Sequence, residues 1–298
     1  MTVAATSTTS GESAKKVTGF VPPVATPFRS GRLDLDSLKR MLEYIAGSVS
    51  GVLLGGSVGE TASLTIEERV TLMREAAAHS NGQFLAVSIS DNVMEHSRRL
   101  SDAAGEVGAD LLMVSCPNYY TNDRGMLEAY FAALSEFASA DLCLYDNPIA
   151  SHTTLSVDDI VALTKAAPRL THIKVTDTDI EKVDAIRSRT SLVVHSGDDA
   201  VLWHQLTRGA EGAMVALPMI YPEHAADLWK AFAAGDLEAA SATYRQVTNF
   251  IHISLGAPDY VAVIKTVLHH RGVIASPEVR LPLTPLAGRR LEEVISSL

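Results

Sequence analysis

Eight short apolar runs punctuate the chain from Gly19 onward: "GFVPPVAT", "GVLLGG", "FLAVSIS", "LLMVSC", "LCLYDN", "HIKVTD", "SLVVHSG" and "GAMVAL". Amphipathic stretches separate them, and this alternation is the pattern of repeated strand–helix units. Between the first two runs Leu38, Met41, Leu42 and Ile45 recur at helical spacing, with Lys39, Arg40 and Glu43 on the other face. The stretch "LTIEERVTLMREAAAHS" repeats the design, with Thr65 as N-cap and Glu67 and Glu68 in the first turn, where the helix dipole favours acids. Eight such units point to an α/β fold, a closed parallel (β/α)8 TIM barrel over residues 17–234. An open doubly wound sheet has the same periodicity and stays open at this level. After "GAMVALP" the strand pattern stops, and "GDLEAASATYRQVTNFIHISL", "APDYVAVIKTVLHHRG" and "AGRRLEEVISSL" read as helices, a C-terminal helical appendage over residues 235–298. The Ser/Thr-rich residues 1–16 read as a mobile tail.

At 298 residues the chain is long enough for one large barrel domain. A formal net charge of −10 argues against a nucleic acid or an anionic membrane as partner, since both select clustered Lys and Arg. A small-molecule substrate is the expectation. The opening "MTVAATSTTSGESAKK" has no apolar core of signal-peptide length and no run is long enough to cross a bilayer, so a cytoplasmic location is expected. Cys116 and Cys143, without CxxC spacing, read as reduced core thiols. His172, His195, His204 and Asp198 fall near strand ends without a recognisable ligand spacing, so neither a metal nor a cofactor is expected. His269 and His270 read as surface residues, and Trp203 and Trp229 as core or subunit contacts.

The sixth run, within "THIKVTDTD", holds a lysine in what reads as a buried strand. An ammonium group taken out of water costs several kcal/mol unless it is paired or goes neutral. Side chains alternate along a strand, so His172, Lys174 and Thr176 share one face and Ile173 and Val175 the other. The apolar pair suits the helix-facing side, which turns Lys174 into the barrel. By the same parity Cys143, Tyr145 and Asn147 share a face on the fifth strand, and Tyr145 can meet Lys174 across neighbouring strands. An amine enclosed by apolar walls has its charged form disfavoured and is nucleophilic, able to form a Schiff base with a ketone; a phenol within reach is a general acid and base. The alternative is a lysine at a strand end, paired with Asp177 or Asp179.

"GGSVGE", Gly55 to Glu60, closes the second run. A glycine-rich turn of this kind, with Gly56, Ser57 and Val58 at its centre, exposes successive backbone N–H groups able to hold an anion. Phosphate sites in such barrels use the loops after strands seven and eight. Here the seventh run ends in "SGDD", whose Asp198 and Asp199 would repel phosphate, so a carboxylate fits better; a plain strand-to-helix turn is the other reading.

Together "GGSVGE", "CPNYY", "LYDNP", "IKVTD", "SGDDA" and "LPLTPL" resemble the dihydrodipicolinate synthase and N-acetylneuraminate lyase family of pyruvate-dependent, Schiff-base barrels, in order from about Val17 to the C-terminus. The resemblance implies a homotetramer or homodimer acting on pyruvate or another 2-oxo acid plus an aldehyde. It implies that Lys174 is the Schiff-base lysine, Tyr145 the proton shuttle and Ser57 a relay hydroxyl. Val58 stands where relatives carry a second hydroxyl, so its backbone N–H alone would serve the pyruvate carboxylate. In "CPNYY" the relay tyrosine lent by an adjacent subunit matches Tyr119, with Tyr120 one residue away. Gly197 and Met214 match backbone positions lining the pocket.

Departures bear on the substrate. Dihydrodipicolinate synthases carry an arginine for a second carboxylate where "YDNPIASH" has Ala150, which weakens that reading. Thr176 agrees with the threonine of sialic-acid lyases, but Ala200 and Ala216 replace their glutamate and serine. His152 replaces a common glycine near the mouth and is a candidate for a substrate hydroxyl. The expected reaction is aldol synthesis, cleavage or dehydration on a 4-hydroxy-2-oxo acid or 2-keto-3-deoxy sugar acid. Dihydrodipicolinate synthesis and a non-catalytic keto-acid-binding barrel are the alternatives.

Overall fold

The computed structural model describes residues 17–80, 82–255 and 258–298; the expected tail over residues 1–16 lies outside them. Eight strands form one sheet: β1 Gly19–Phe20, β2 Gly51–Leu54, β3 Phe84–Ser88, β4 Leu111–Ser115, β5 Asp141–Asp146, β6 Leu170–Val175, β7 Val193–Ser196 and β8 Gly212–Ala213. Every neighbouring pair is parallel, and β1 lies beside β8. The chain just after β1 then reaches back to β2, where the Val24 N–H donates to the Leu53 carbonyl at 2.9 Å and the Leu53 N–H to the Pro22 carbonyl at 2.9 Å. Those bonds close the ring and decide for a barrel over an open doubly wound sheet. No helix among the described residues is long and apolar enough to cross a membrane.

The helices form as their patterns require. In Leu35–Ile45 the residues Leu38, Met41, Leu42 and Ile45 are buried against the barrel, each worth roughly 1.5–3 kcal/mol. Helix Ile66–His79 opens with a capping box: the Thr65 side chain accepts from the Glu68 N–H and the Glu68 carboxylate from the Thr65 N–H. Helices Leu237–Phe250, Tyr260–His270 and Gly288–Ser296 follow the barrel. Trp203 stacks on Tyr244, and Trp229 meets Phe20 edge to face. Cys116 and Cys143 are buried free thiols, each pushed up to about 12 by burial.

One register change matters more than the rest. On β5 and β6, Leu142 pairs with Leu170 but Cys143 pairs with His172, so Thr171 is an extra residue on β6. A one-residue slip moves a strand's side chains to the other face. Past the bulge Tyr145 pairs with Lys174, and on the next strand Lys174 pairs with His195. Inside the barrel the His172 and His195 rings stack at 5.5 Å and 8°. Both are buried, and neither ring nitrogen of His195 has a hydrogen-bond partner among the described residues. Burial, with the neighbouring His172 and Lys174, pushes His195 down to about 3.

Helix Tyr260–His270 is tied to the barrel by a buried ion pair. Lys265 is fully buried, salt-bridged to Glu60, 4.2 Å above the Phe28 ring, and its Nζ donates to the Glu278 carbonyl at 2.8 Å. Glu60 also accepts the Arg280 N–H at 2.8 Å. Burial pulls the Lys265 pKa down, and Glu60 offsets only part of that.

Removing one partner of such a pair strands a charge, so Lys265→Met is expected to lose about 3–5 kcal/mol of stability. The double variant Glu60→Gln/Lys265→Met should recover part of the loss; equal urea midpoints for the wild type and the single variant would contradict the account. His195 carries a pH dependence. Its native pKa lies far below the ordinary value of 6.5, so its contribution to stability is complete above pH 6.5 and declines as pH falls toward 3. The decline amounts to about 1.4 kcal/mol per pH unit at most. Urea titrations from pH 7 to 5 should therefore show a shallower loss in His195→Leu than in the wild type, whereas parallel slopes would refute that assignment.

Candidate active site

Lys174 reaches the interior near the C-terminal end of β6 and is 4% exposed, its Nζ standing 4.2 Å from the centroid of the Tyr145 ring. Pairing with Asp177 or Asp179 is not what holds it. The Asp177 carboxylate binds Lys182 at 2.9 Å, and Asp179 accepts the Glu181 N–H. Lys182, on helix Glu181–Arg189, also binds Asp146 at 2.7 Å. Asp146 follows Tyr145 and so faces outward, which lets this ion cluster brace β5 and β6 from behind while their inner faces stay free.

The Tyr145 phenol is enclosed, 7% exposed, and accepts from Asn147 Nδ2 at 2.8 Å. Asn147 is fixed in turn, because its side-chain oxygen accepts the Ala150 N–H at 3.1 Å and caps the turn Pro148–Ser151. Burial alone would raise the phenol's pKa, but the Lys174 charge and hydrogen bonds with Ser57, Asn147 and Thr176 outweigh it and leave the phenol below its ordinary value. Tyr260, first residue of helix Tyr260–His270, brings a second phenol close to Tyr145 and packs on the core. Burial and the nearby Tyr145 push it up to about 12.

The "GGSVGE" turn lies over these groups. Gly55 and Gly56 adopt φ of +85° and +72°, which only glycine takes without strain. The Glu60 N–H donates to Ser57 and the Thr61 N–H to Gly56, whereas among the described residues the N–H groups of Ser57 and Val58 bond to no backbone carbonyl. Successive free backbone amides at a turn are a geometry able to serve an anion. On the opposite wall a Cβ on Gly197 would lie 2.9 Å from Lys174 Cγ and collide with Thr176 Oγ1, so glycine is needed for the chain to pass the lysine. Thr176 donates to the Gly197 carbonyl at 3.3 Å, and Met214 packs in the interior cluster that contains Tyr145. The position a phosphate would take is filled by the chain itself: Asp199 accepts the Ala216 N–H at 2.9 Å and the Leu217 N–H at 2.8 Å, just past β8.

The other candidates stand apart. Tyr119 and Tyr120 lie on the loop after β4, 86% and 73% exposed, their rings edge to face at 5.1 Å. Tyr119 has φ +81°, an outlying conformation for a bulky residue. His152 is exposed at a left-handed turn, and Ala150 is exposed beside it. Arg124 and Arg280 are committed to Asp159 and Glu68. Asn147 and Asp199 take hydrogen-bonding parts that the sequence did not give them, although parity with Tyr145 and the "SGDD" motif drew attention to both.

A profile of the Dihydrodipicolinate synthetase family matches residues 16–298. A 4-hydroxy-tetrahydrodipicolinate synthase 1 of Streptomyces coelicolor is 31% identical, covering 87% of this chain and 86% of that protein. A 4-hydroxy-tetrahydrodipicolinate synthase of Phenylobacterium zucineum is 29% identical over 94% of this chain and 96% of its own length. Among solved structures, a prophage protein of the dihydrodipicolinic acid synthase family from E. coli K12, in complex with pyruvate, superposes with a TM-score of 0.88 at 25% identity, covering 94% of this chain and 96% of that one. With a match along essentially its whole described length, the chain belongs to the dihydrodipicolinate synthetase family and is a lyase of carbon–carbon or carbon–oxygen bonds.

Proposed function

We propose that the chain is a class I lyase in which Lys174 forms an imine with pyruvate, or with the pyruvyl half of a larger 2-oxo acid. One observation carries this reading: a nearly dry amine stands 4.2 Å from the ring of an equally enclosed tyrosine in the barrel interior. The amine adds to the C2 carbonyl, Tyr145 protonates the oxygen that leaves as water, and the iminium withdraws electrons from C3. Loss of a C3 proton gives an enamine that adds to an aldehyde; the reverse breaks the carbon–carbon bond. Ser57 relays protons, and the amides of Ser57 and Val58, presented by the Gly56 turn, hold the pyruvate carboxylate. Thr176, Gly197 and Met214 line the pocket, and His152 stands at its mouth. Tyr119, exposed and strained, is offered to an adjoining copy in a homodimer or homotetramer, in the cytoplasm.

For the acceptor, Ala150 in place of an arginine and the carboxylates of the "SGDD" loop favour a hydroxylated aldehyde over one with a second carboxylate, hence a 4-hydroxy-2-oxo acid or 2-keto-3-deoxy sugar acid. The named activity of the relatives favours a second reading, 4-hydroxy-tetrahydrodipicolinate synthesis. An aldehyde panel with pyruvate, read by mass spectrometry, separates them.

Borohydride with pyruvate should leave a single reduced adduct on Lys174. Lys174→Ala should give none and lose turnover on the order of 10⁴-fold or more, the scale of removing a covalent nucleophile; full turnover in that variant would rule the mechanism out. Ala150→Arg should lower KM for aspartate semialdehyde about tenfold, as one charge-assisted contact allows. An unchanged KM would show that the pocket differs from the synthases at more than this position.

A further inference from the structure

The turn from Gly55 to Glu60 doubles back on itself. A Cβ on Gly59 would fall 2.9 Å from the Gly55 Cα, so the two glycine backbones lie against each other with Ser57 and Val58 on the stretch between them. Ser57 accepts the Glu60 N–H at 3.0 Å, Gly56 the Thr61 N–H at 3.2 Å and Gly59 the Thr26 hydroxyl at 2.7 Å. Glu60 ends the turn in the left-handed region, φ +53° and ψ +36°, a conformation that a residue with a side chain keeps only where its surroundings enforce it. Here the enforcement comes from the far end of the chain. The Glu60 carboxylate is wholly buried, ion-paired to Lys265, and accepts the Arg280 N–H at 2.8 Å. Lys265 in turn donates to the Glu278 carbonyl at 2.8 Å, while the Arg280 side chain donates to the Ser63 carbonyl at 2.9 Å, just past the turn. We propose that Glu60 is a positioning residue for the substrate carboxylate: gripped by the C-terminal segment, it fixes the direction of the Ser57 and Val58 amides, so that the helical appendage governs how a 2-oxo acid is told apart from a plain ketone.

The inference rests on the Schiff-base reading and deepens it by naming what sets the carboxylate contact. Two successive N–H groups hold one carboxylate only when both point at it, because a hydrogen bond weakens steeply with its angle and each peptide unit turns as a rigid plane. At the start of the turn Gly55 and Gly56, with φ of +85° and +72°, place no side-chain limit on their own dihedrals, so the direction of the amides has to be set from the other end. Glu60 is that end. Lys174 and Tyr145 stand on β6 and β5, so a change at Glu60 reaches the carboxylate contact and leaves the amine and the phenol in place.

The test uses the full chain, borohydride and two ketones, pyruvate and acetone, which offers a carbonyl without a carboxylate. The yield of reduced adduct on Lys174 is read at ketone concentrations below saturation. In Glu60→Gln/Lys265→Met, which removes both charges together, the pyruvate yield should fall about tenfold, the scale of a lost charge-assisted contact, while the acetone yield matches the wild type. Glu60→Asp keeps a charge for Lys265 on a shorter arm and should lower the pyruvate yield alone by about threefold, which decides the matter if the double variant does not fold. An unchanged pyruvate yield, or an equal fall for both ketones, would overturn the positioning role and leave the imine intact. Absence of any pyruvate adduct on the wild-type protein would overturn the parent reading and this inference with it.

Discussion

Side chains of a strand alternate between two faces, and eight parallel strands closed into a ring turn one of those faces wholly inward. Whatever polar group falls on the inner face loses bulk water and can be answered only by its barrel neighbours. Two features of this chain decide which groups those are. The bonds between the segment after β1 and β2 close the ring, and the extra residue at Thr171 sets β6 against β5. With that residue accommodated, Tyr145 and Lys174 are partners; one step off, Lys174 would face the apolar helix layer with Ile173 and Val175 in its place.

Enclosure then acts on each group according to its charge. Burial raises the thiols of Cys116 and Cys143 and lowers His195, in each case favouring the neutral form. At Tyr145 the same burial is outweighed by the lysine charge and three hydrogen bonds, so the phenol moves the other way. That reversal sets Tyr145 apart from the other buried groups, whose neutral forms burial favours. The charges outside the ring serve geometry: Asp146, Lys182 and Asp177 brace the strands that carry the pair, and Glu60 with Lys265 fixes the turn above it.

Much of this was legible in the sequence. Spacing of Leu38, Met41, Leu42 and Ile45 gave a helix face, Thr65 its cap, and the parity of "HIKVTD" an inward Lys174, because each of these signals is local. Ring closure was not legible, since it depends on hydrogen bonds between segments whose periodicity is the same in an open sheet. Nor was the Thr171 bulge, which is a property of two strands together. Asp199 read as a repeller of phosphate, and it does more: it occupies the amides that a phosphate would need.

What the barrel interior offers is an enclosed amine 4.2 Å from the ring of a phenol whose pKa is lowered, beside a turn with two backbone amides that bond to no carbonyl among the described residues. A crystal structure of the protein soaked in pyruvate tests that arrangement most directly. Continuous density from Lys174 Nζ to C2 of pyruvate, with the carboxylate on the N–H groups of Ser57 and Val58, is the predicted result. Pyruvate bound elsewhere beside an unmodified Lys174 would contradict it.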